Sequence, residues 1–511
     1  MTRAVEERVP EGRYTDGEWH RMHPLTPLLK GGIALVAILG YFVYQAREVL
    51  IDRFLGVGNG EGDPLVWLVE SDFLLLAIGV IIGGLLIFIG GFYLSWRMHT
   101  FRITDEVVEV RSGILFRTNR RGRLDRIQGI NITRPFLARL FGTAKLEVNV
   151  AGDDANVQLE YLGSAAADEL RREVLRLASG TKVEAATETV VGPTGSLVEQ
   201  RVAELLAPEL NAEQLAAQSV VKMHLGRLIG SLVLSGTTIF LIGFIIAGFI
   251  VVSLTGELFY LGGAIPAVLG MASFYYRRFT RSLRYSIAGT PDGVRVGFGL
   301  LSTSNETLPP GRIHSVLVSQ PLLWRPFGWW EIKITRASKS SAKGAAGQEN
   351  TTILPVGHIH DVMQVLALIL PDMTSERDAQ LLHRGLVSPG GDDGFVNSPK
   401  RAAPIRWFSW RRNGYALSPS SVLLRKGRVW RELIVVPTAR IQSVALEDGP
   451  LLRRLGLGAL RVHTVAGPVT ASLGAVDRVA AVDFFEIVSA AAVSSSSTDT
   501  SHRWRSGEAL A

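Results

Sequence analysis

Arg126-Ile127-Gln128, Arg312-Ile313-His314 and Arg440-Ile441-Gln442 are three readings of one pattern, and they decide how the chain is built. Sixteen residues after each arginine stands a glycine (Gly142, Gly328, Gly456), and thirteen before it stands another (Gly113, Gly299, Gly427). Between these markers the same offsets carry Arg139, Arg325 and Arg453, then Phe141, Phe327 and Leu455 just ahead of the later glycine. Matched internal spacing in three places marks one small domain repeated three times. The copies are unevenly spaced, so they do not stack as a solenoid. Other segments lie between them.

Those segments are apolar. The 511 residues are 47% hydrophobic, and the excess is concentrated in runs. Residues 73–96, 228–256 and 258–276 carry no charge, each long enough for a helix across about 30 Å of hydrocarbon. A weaker run at 28–44 has Lys30 near its start, where the side chain can snorkel to the interface. Gly79 and Gly83 give the second run a spacing of small residues that lets another helix approach closely. The short break around Glu257 makes the later pair a hairpin, so the expectation is four transmembrane helices in two hairpins.

Flanking charge orients them. Arg97, His99 and Arg102 follow the second run; Lys222, His224 and Arg227 precede the third; Arg277, Arg278, Arg281 and Arg284 follow the fourth. The loop between the first two runs is acidic, with Glu48, Asp52, Glu61, Asp63, Glu70 and Asp72 against Arg47 and Arg53. Basic flanks stay on the cytoplasmic side, which places all three copies and both termini there.

Each copy reads as short alternating strands broken by glycine turns, the pattern of an antiparallel sheet or small barrel. Ile130/Ile132, Val316/Val318 and Val444/Leu446 form one strand of each copy, and Leu146/Val148, Ile332/Ile334 and Leu460/Val462 another. Helical stretches at 165–177, 360–370 and 476–490 close the copies; in the last, Val479, Val482, Phe485 and Val488 recur at helical spacing as the packing face. The chain thus divides into a polar segment 1–27, hairpin 28–96, domain 97–180, helical linker 181–221, hairpin 222–276, domain 277–373, linker 374–412, domain 413–491 and disordered tail 492–511.

The turn glycine, the Pro309-to-His314 and Arg123-to-Gln128 segments, and the Arg-x-Phe-Gly ending resemble the bacterial pleckstrin-homology-like (PH-like) domain. Three copies threaded by two hairpins resemble the YdbT-type family of bacterial membrane proteins, over residues of about 28–490. The third copy departs most, with Leu455 for phenylalanine and Gly449-Pro450 shifting the proline by one from Pro135 and Pro321. The resemblance implies three PH-like small β-barrels, each capped by a C-terminal helix, with four transmembrane α-helices in a bacterial inner membrane. It implies no biochemical activity.

Two uses remain open for the repeated residues Arg126, Gln128, Arg139, Arg312, His314, Arg325, Arg440, Gln442 and Arg453. The arginines can bind anionic head groups or a partner's carboxylates bidentately, or they can brace the scaffold through backbone carbonyls. Retention in all three copies favours bracing. Arg406, Trp407, Trp410, Arg411 and Arg412 mix aromatic and basic side chains as a bilayer-surface segment does. The partners indicated are the lipid bilayer, anionic lipid head groups and a protein partner or homo-oligomer.

Other chemistries find little support. The chain has no cysteine, which excludes disulfides and thiolate ligands. His358 and His360 lack a third metal ligand at a telling spacing, and Asp153-Asp154 and Asp392-Asp393 read as turn residues. No hydrolase elbow, phosphate loop or zinc-protease motif occurs, so no cofactor and no enzyme is expected. The charge of +7 sits beside the apolar runs, which favours a membrane surface over nucleic acid. A transport component is the alternative, disfavoured because Lys30 is the only ionisable residue within the spans.

Overall fold

The computed structural model describes residues 14–26, 89–91, 93–113, 117–152, 156–179, 219–256, 259–283, 285–290, 292–299, 302–309, 311–337, 351–373 and 375–499, with isolated positions 29 and 83. Most of the first hairpin, the linker from residue 180 to 218, Asp153-Asp154, nearly all of the 337–350 loop and the tail from residue 500 lie outside the described residues.

Every copy is a four-stranded antiparallel sheet, then a three-stranded one, then a helix. Copy 1 comprises β1 (His20–Arg21), β2 (Thr100–Ile103), β3 (Val107–Ser112) and β4 (Thr118–Arg123), followed by β5 (Ile127–Arg134), β6 (Thr143–Val150), β7 (Val157–Gly163) and helix α1 (Ser164–Ala178). In copy 2, β8 (Ser219–Lys222) leads into α2 (Leu225–Val233), α3 (Gly236–Thr255) and α4 (Phe259–Ser282). Then come β9 (Ser286–Thr290), β10 (Gly293–Phe298), β11 (Thr303–Leu308), β12 (Ile313–Gln320), β13 (Trp330–Arg336), β14 (Thr352–Gly357) and α5 (Ile359–Ile369). After α6 (Glu376–Val387), copy 3 runs through β15 (Val396–Asn397), β16 (Gly414–Leu417), β17 (Ser421–Lys426), β18 (Arg431–Pro437), β19 (Ser443–Glu447), β20 (Leu457–His463), β21 (Ala471–Asp477) and α7 (Arg478–Thr498).

The sheets do not close into separate barrels. Instead β5 of copy 1 pairs with β11 of copy 2, and β12 of copy 2 pairs with β18 of copy 3, giving two continuous seven-stranded sheets. Both junctions have one register. Ile130, four past Arg126, faces Thr307, five before Arg312; Val316, four past Arg312, faces Val435, five before Arg440. The second junction is apolar: β17 and β18 send Val422, Leu424, Ile434 and Val436 into the core of copy 3, and Leu423, Leu433 and Val435 into the core shared with copy 2 and α6. Burial on both faces explains their unbroken apolar sequence. The first junction is polar, with Ser304 donating to Asn131 at 2.7 Å and the buried Glu306 paired with Arg336.

Each copy also starts earlier than its repeat pattern suggests. In copy 2 the first strand precedes the α3–α4 pair, and in every copy the chain is stitched where it leaves and returns. Trp96 Nε1 donates to the Met22 carbonyl at 2.9 Å in copy 1, Met223 N to Tyr285 O at 3.5 Å in copy 2, and Ser398 N to Asn413 O at 2.7 Å in copy 3. In copy 2 the α3–α4 pair is therefore an insert between the first two strands of a sheet. Copy 3 has only residues 398–413 at that joint, and the segment read as a linker holds α6 and β15.

Among the described residues, one helix hairpin carries a candidate membrane span. α3 is apolar, long enough to span and unburied in protein. Gly256, in the left-handed region at φ 71°, caps it, and α4 returns antiparallel, with Thr238 Oγ1 and Tyr275 OH 2.6 Å apart. α7 also has the length and apolarity to span. It is the closing helix of copy 3, since Ala481, Phe484 and Val488 are buried in that core. This corrects the expected packing face in part: Val488 packs inward as expected, but Val479, Val482 and Phe485 are exposed, because the stripe turned to the sheet runs through Ala481, Phe484 and Val488. The helix also continues to Thr498, so residues 492–498 are not a disordered tail.

The hairpin is seated on copy 2 through α2. A Cβ at Gly230 would lie 2.5 Å from the Trp329 ring, so only glycine permits this approach. Gly230→Leu is expected to cost about 1–3 kcal/mol through overpacking, read as a lower melting temperature in detergent and faster proteolysis next to α2.

Candidate functional site

Strand alternation gives each copy two ends. The repeated Arg126, Arg312 and Arg440 stand where the four-stranded sheet hands over to the three-stranded one, and Arg139, Arg325 and Arg453 stand one strand later, at the end where the hairpins enter. Because the junctions share one register, like ends fall in line.

At the end away from the hairpins, the handover points of the copies meet. Arg312 Nη2 donates to the Asp125 carbonyl at 3.0 Å, reaching from copy 2 to the residue beside Arg126. Arg440 is paired with Asp499 at 2.8 Å, near enough to Arg312 and His314 to act on both. Burial and the Arg440 charge push the Arg312 pKa down. Arg126 and Gln442 are exposed, whereas Gln128 is buried. The motif residues thus have unequal surroundings: Arg312, His314 and Arg440 come together, and the others do not join them.

At the hairpin end, Arg325 Nη1 donates to the Arg428 carbonyl at 3.2 Å, tying copy 2 to the β17–β18 turn of copy 3. Arg139 is buried beneath its turn, and the exposed Arg453 holds Asp448 at 2.9 Å. The same turns expose apolar side chains: Phe136, Leu137, Leu140 and Phe141 in copy 1, Leu322, Leu323 and Phe327 in copy 2, and Leu451 in copy 3. Copy 2 shows that this end adjoins the hairpin, since Trp324 and Trp329 pack with Met223 and Leu234, and Arg227 Nη1 binds Asp361 at 2.7 Å. His358 and Asp361 form the N-terminal cap of α5. No metal-binding group of three or more His, Cys, Asp or Glu occurs among the described residues.

Residues 398–413 of copy 3 lie at this end too. Trp407 is 71% exposed and lies against the exposed Phe408, with ring centroids 3.7 Å apart. Arg411 sits over the half-buried Trp410 at 5.3 Å, and half-buried Arg406 crosses Gly474. Arg412 departs from the surface reading: it is 1% exposed. Its guanidinium donates to the carbonyls of Ser388 (3.1 Å), Lys426 (2.9 Å), Gly427 (3.0 Å), Gly385 (2.9 Å) and Leu386 (2.8 Å). The fork caps the carboxyl end of α6, where helix carbonyls lack partners. Burial first, then Arg425, push its pKa down to about 9. Arg425 in turn pairs with Asp393 at 2.5 Å, so this aspartate anchors a buried arginine as well as turning the chain. A sequence shows that arginines are close together but not which one turns inward.

Sequence reading also missed a partly buried cluster between copies 1 and 2. Arg134 and Arg171 hold Asp168 at 2.7 and 3.2 Å, with Arg295 near them and pushed down to about 10 chiefly by burial. Its members come from β5, α1 and β10, and no local spacing connects them.

Fold and anchoring together define a class: tandem PH-like modules, with a long apolar helix inserted in the second. Residues 35–178, 229–373 and 390–492 match the bacterial PH domain model, and the chain belongs to that family. It is also 21% identical over 394 residues to the UPF0699 transmembrane protein YdbT of Bacillus subtilis (strain 168), across 71% of this chain and 72% of that one. The protein is a membrane protein.

Two substitutions probe these ends. Arg412→Met leaves five carbonyls without their donor and is expected to destabilise by at least the roughly 1–3 kcal/mol of one unsatisfied buried acceptor, with Arg412→Lys recovering only part because an ammonium lacks the planar fork. At the opposite end, burial and then Arg440 and Arg312 push the His314 pKa down to about 4. An unfolded histidine titrates near 6.5. As pH falls between those values the unfolded chain gains a proton that the folded chain refuses, so stability falls in that window and is unaffected above it. His314→Gln, which installs the residue type of Gln128 and Gln442, is expected to flatten the decline in melting temperature from pH 7 to 4.5.

Proposed function

We propose that this chain is a non-enzymatic platform that holds three PH-like modules in a row on the cytoplasmic face of a bacterial inner membrane. Four spans in two hairpins anchor the row, with both termini cytoplasmic. The observation that supports this reading is the common joint: an apolar helix pair between the first two strands of copy 2, the stretch expected from sequence to span at the same joint in copy 1, and residues 398–413 there in copy 3. Every module then turns one end to the bilayer. Arg312 and Arg325 brace that row, and the modules offer their remaining surface to a partner protein or to anionic head groups. Tethering side by side raises effective concentration, so weak sites on separate modules act together.

Copy 3 reaches the same surface without a hairpin. Trp407, Phe408, Trp430 and Leu451 are exposed at its hairpin-equivalent end, and Arg406 and Arg411 supply positive charge among them. An aromatic and basic mixture suits the head-group layer.

Two measurements test the layout. A reporter fused to the C-terminus is expected to be active only when it functions in the cytoplasm; activity confined to the outer side refutes the orientation. A nitroxide introduced at Trp407→Cys in the full chain in lipid nanodiscs is expected to be relaxed more by oxygen than by a water-soluble nickel complex, as at Val251→Cys within α3. A Gln442→Cys label should show the reverse. Water-like behaviour at Trp407→Cys alone removes the surface contact, and at Val251→Cys it removes the membrane span.

A further inference from the structure

Within the chain, one kind of strand pairing is used twice. The first strand of a three-stranded sheet joins the fourth strand of the next copy, at β5–β11 and β12–β18, in one register. Two strands of these same kinds are left over: β4 of copy 1 and β19 of copy 3, each at the edge of its sheet with no strand of the described residues on its outer side.

Their surroundings record the difference. β11 is buried along its whole length and β18 through its centre, whereas β4 is exposed everywhere except Gly122. β5 and β12 are mostly buried, whereas every residue of β19 is exposed or half-exposed. Leu446 is 38% exposed where its equivalents Ile132 and Val318 are 0% exposed. The two edges also differ in charge. Arg117, Arg120, Arg121 and Arg123 lie on or beside β4, and Glu447 and Asp448 close β19.

We propose that β19 of one molecule pairs with β4 of a second copy, extending the register of the internal junctions. Counting four past Arg440 and five before Arg126 sets Val444 opposite Arg121. Leu446 then faces Asn119, and Asp448 faces Arg117. Opposite charges directly across a strand pair are favourable, and they reject a like-with-like pairing of two β4 edges. The contact is heterologous, so it propagates head to tail into a ring or an open row. Each added molecule relates to the last as copy 2 relates to copy 1, which keeps all hairpin ends on one side. An assembly of this kind lies along a bilayer. The inference rests on the strand junctions and stands apart from the platform reading.

The absence of native cysteine makes the test direct. In native membranes, Arg121→Cys/Val444→Cys is expected to give an oxidation-dependent ladder of disulfide-linked multimers. Its yield should exceed by about tenfold that of Arg117→Cys/Val444→Cys, whose partners are offset by four residues, roughly 13 Å, beyond disulfide reach. Either single variant should stay monomeric. No ladder, equal ladders from both pairs, or dimers from a single variant would overturn the pairing. Independently, Glu447→Arg/Asp448→Arg, with its melting temperature unchanged, should shift the detergent-solubilised chain from multimer to monomer; an unshifted mass refutes the proposal.

Discussion

A strand at the edge of a sheet presents backbone donors and acceptors that must find partners, and in this chain they find them in the next module. That single requirement organises the molecule. β5 needs β11 and β12 needs β18, so the copies are held at fixed spacing by hydrogen-bond ladders rather than by flexible linkers. Once the spacing is fixed, the turns at either end of the modules fall into rows. The chemistry at each end follows: arginines and a histidine at one, apolar turns and the hairpin base at the other.

The two ladders are stabilised differently. Between copies 2 and 3 the strands carry apolar residues on both faces, and α6 covers the outer one, so burial of Leu423, Leu433 and Val435 dominates. Between copies 1 and 2 the strand Thr303–Leu308 is mostly polar yet fully buried, and its contacts are directional: Ser304 with Asn131, Glu306 with Arg336. A buried polar pair adds little net stability but strongly penalises a misaligned partner. The apolar ladder supplies adhesion, and the polar one discriminates which strands meet.

Much of this was legible from sequence, and the failures share a cause. The repeat markers located three copies because turn glycines and strand alternation are local signals. Gly113, Gly299 and Gly427 all adopt positive φ, as a side-chain-free turn position requires. The first strand of each copy was not legible, since a two-residue strand such as His20–Arg21 has no periodicity to read. The fused sheets were hidden because β11 has no apolar alternation; its burial comes from a partner 173 residues away, at Asn131 and Ser304. Among the site residues, Trp407 is exposed, while neighbouring Arg412 turns inward to cap a helix. Composition could not separate them, because both belong to one aromatic and basic cluster.

The joint between the first two strands also sets an order of events during synthesis. In copy 2 the ribosome makes β8, then the whole membrane hairpin, and only then β9, β8's partner in the sheet. The first strand stays unmatched until the chain has passed through both helices and returned. Synthesis of the hairpin therefore precedes closure of the module. Copy 3, with a short segment at this joint, has no such wait and can close as soon as it leaves the ribosome.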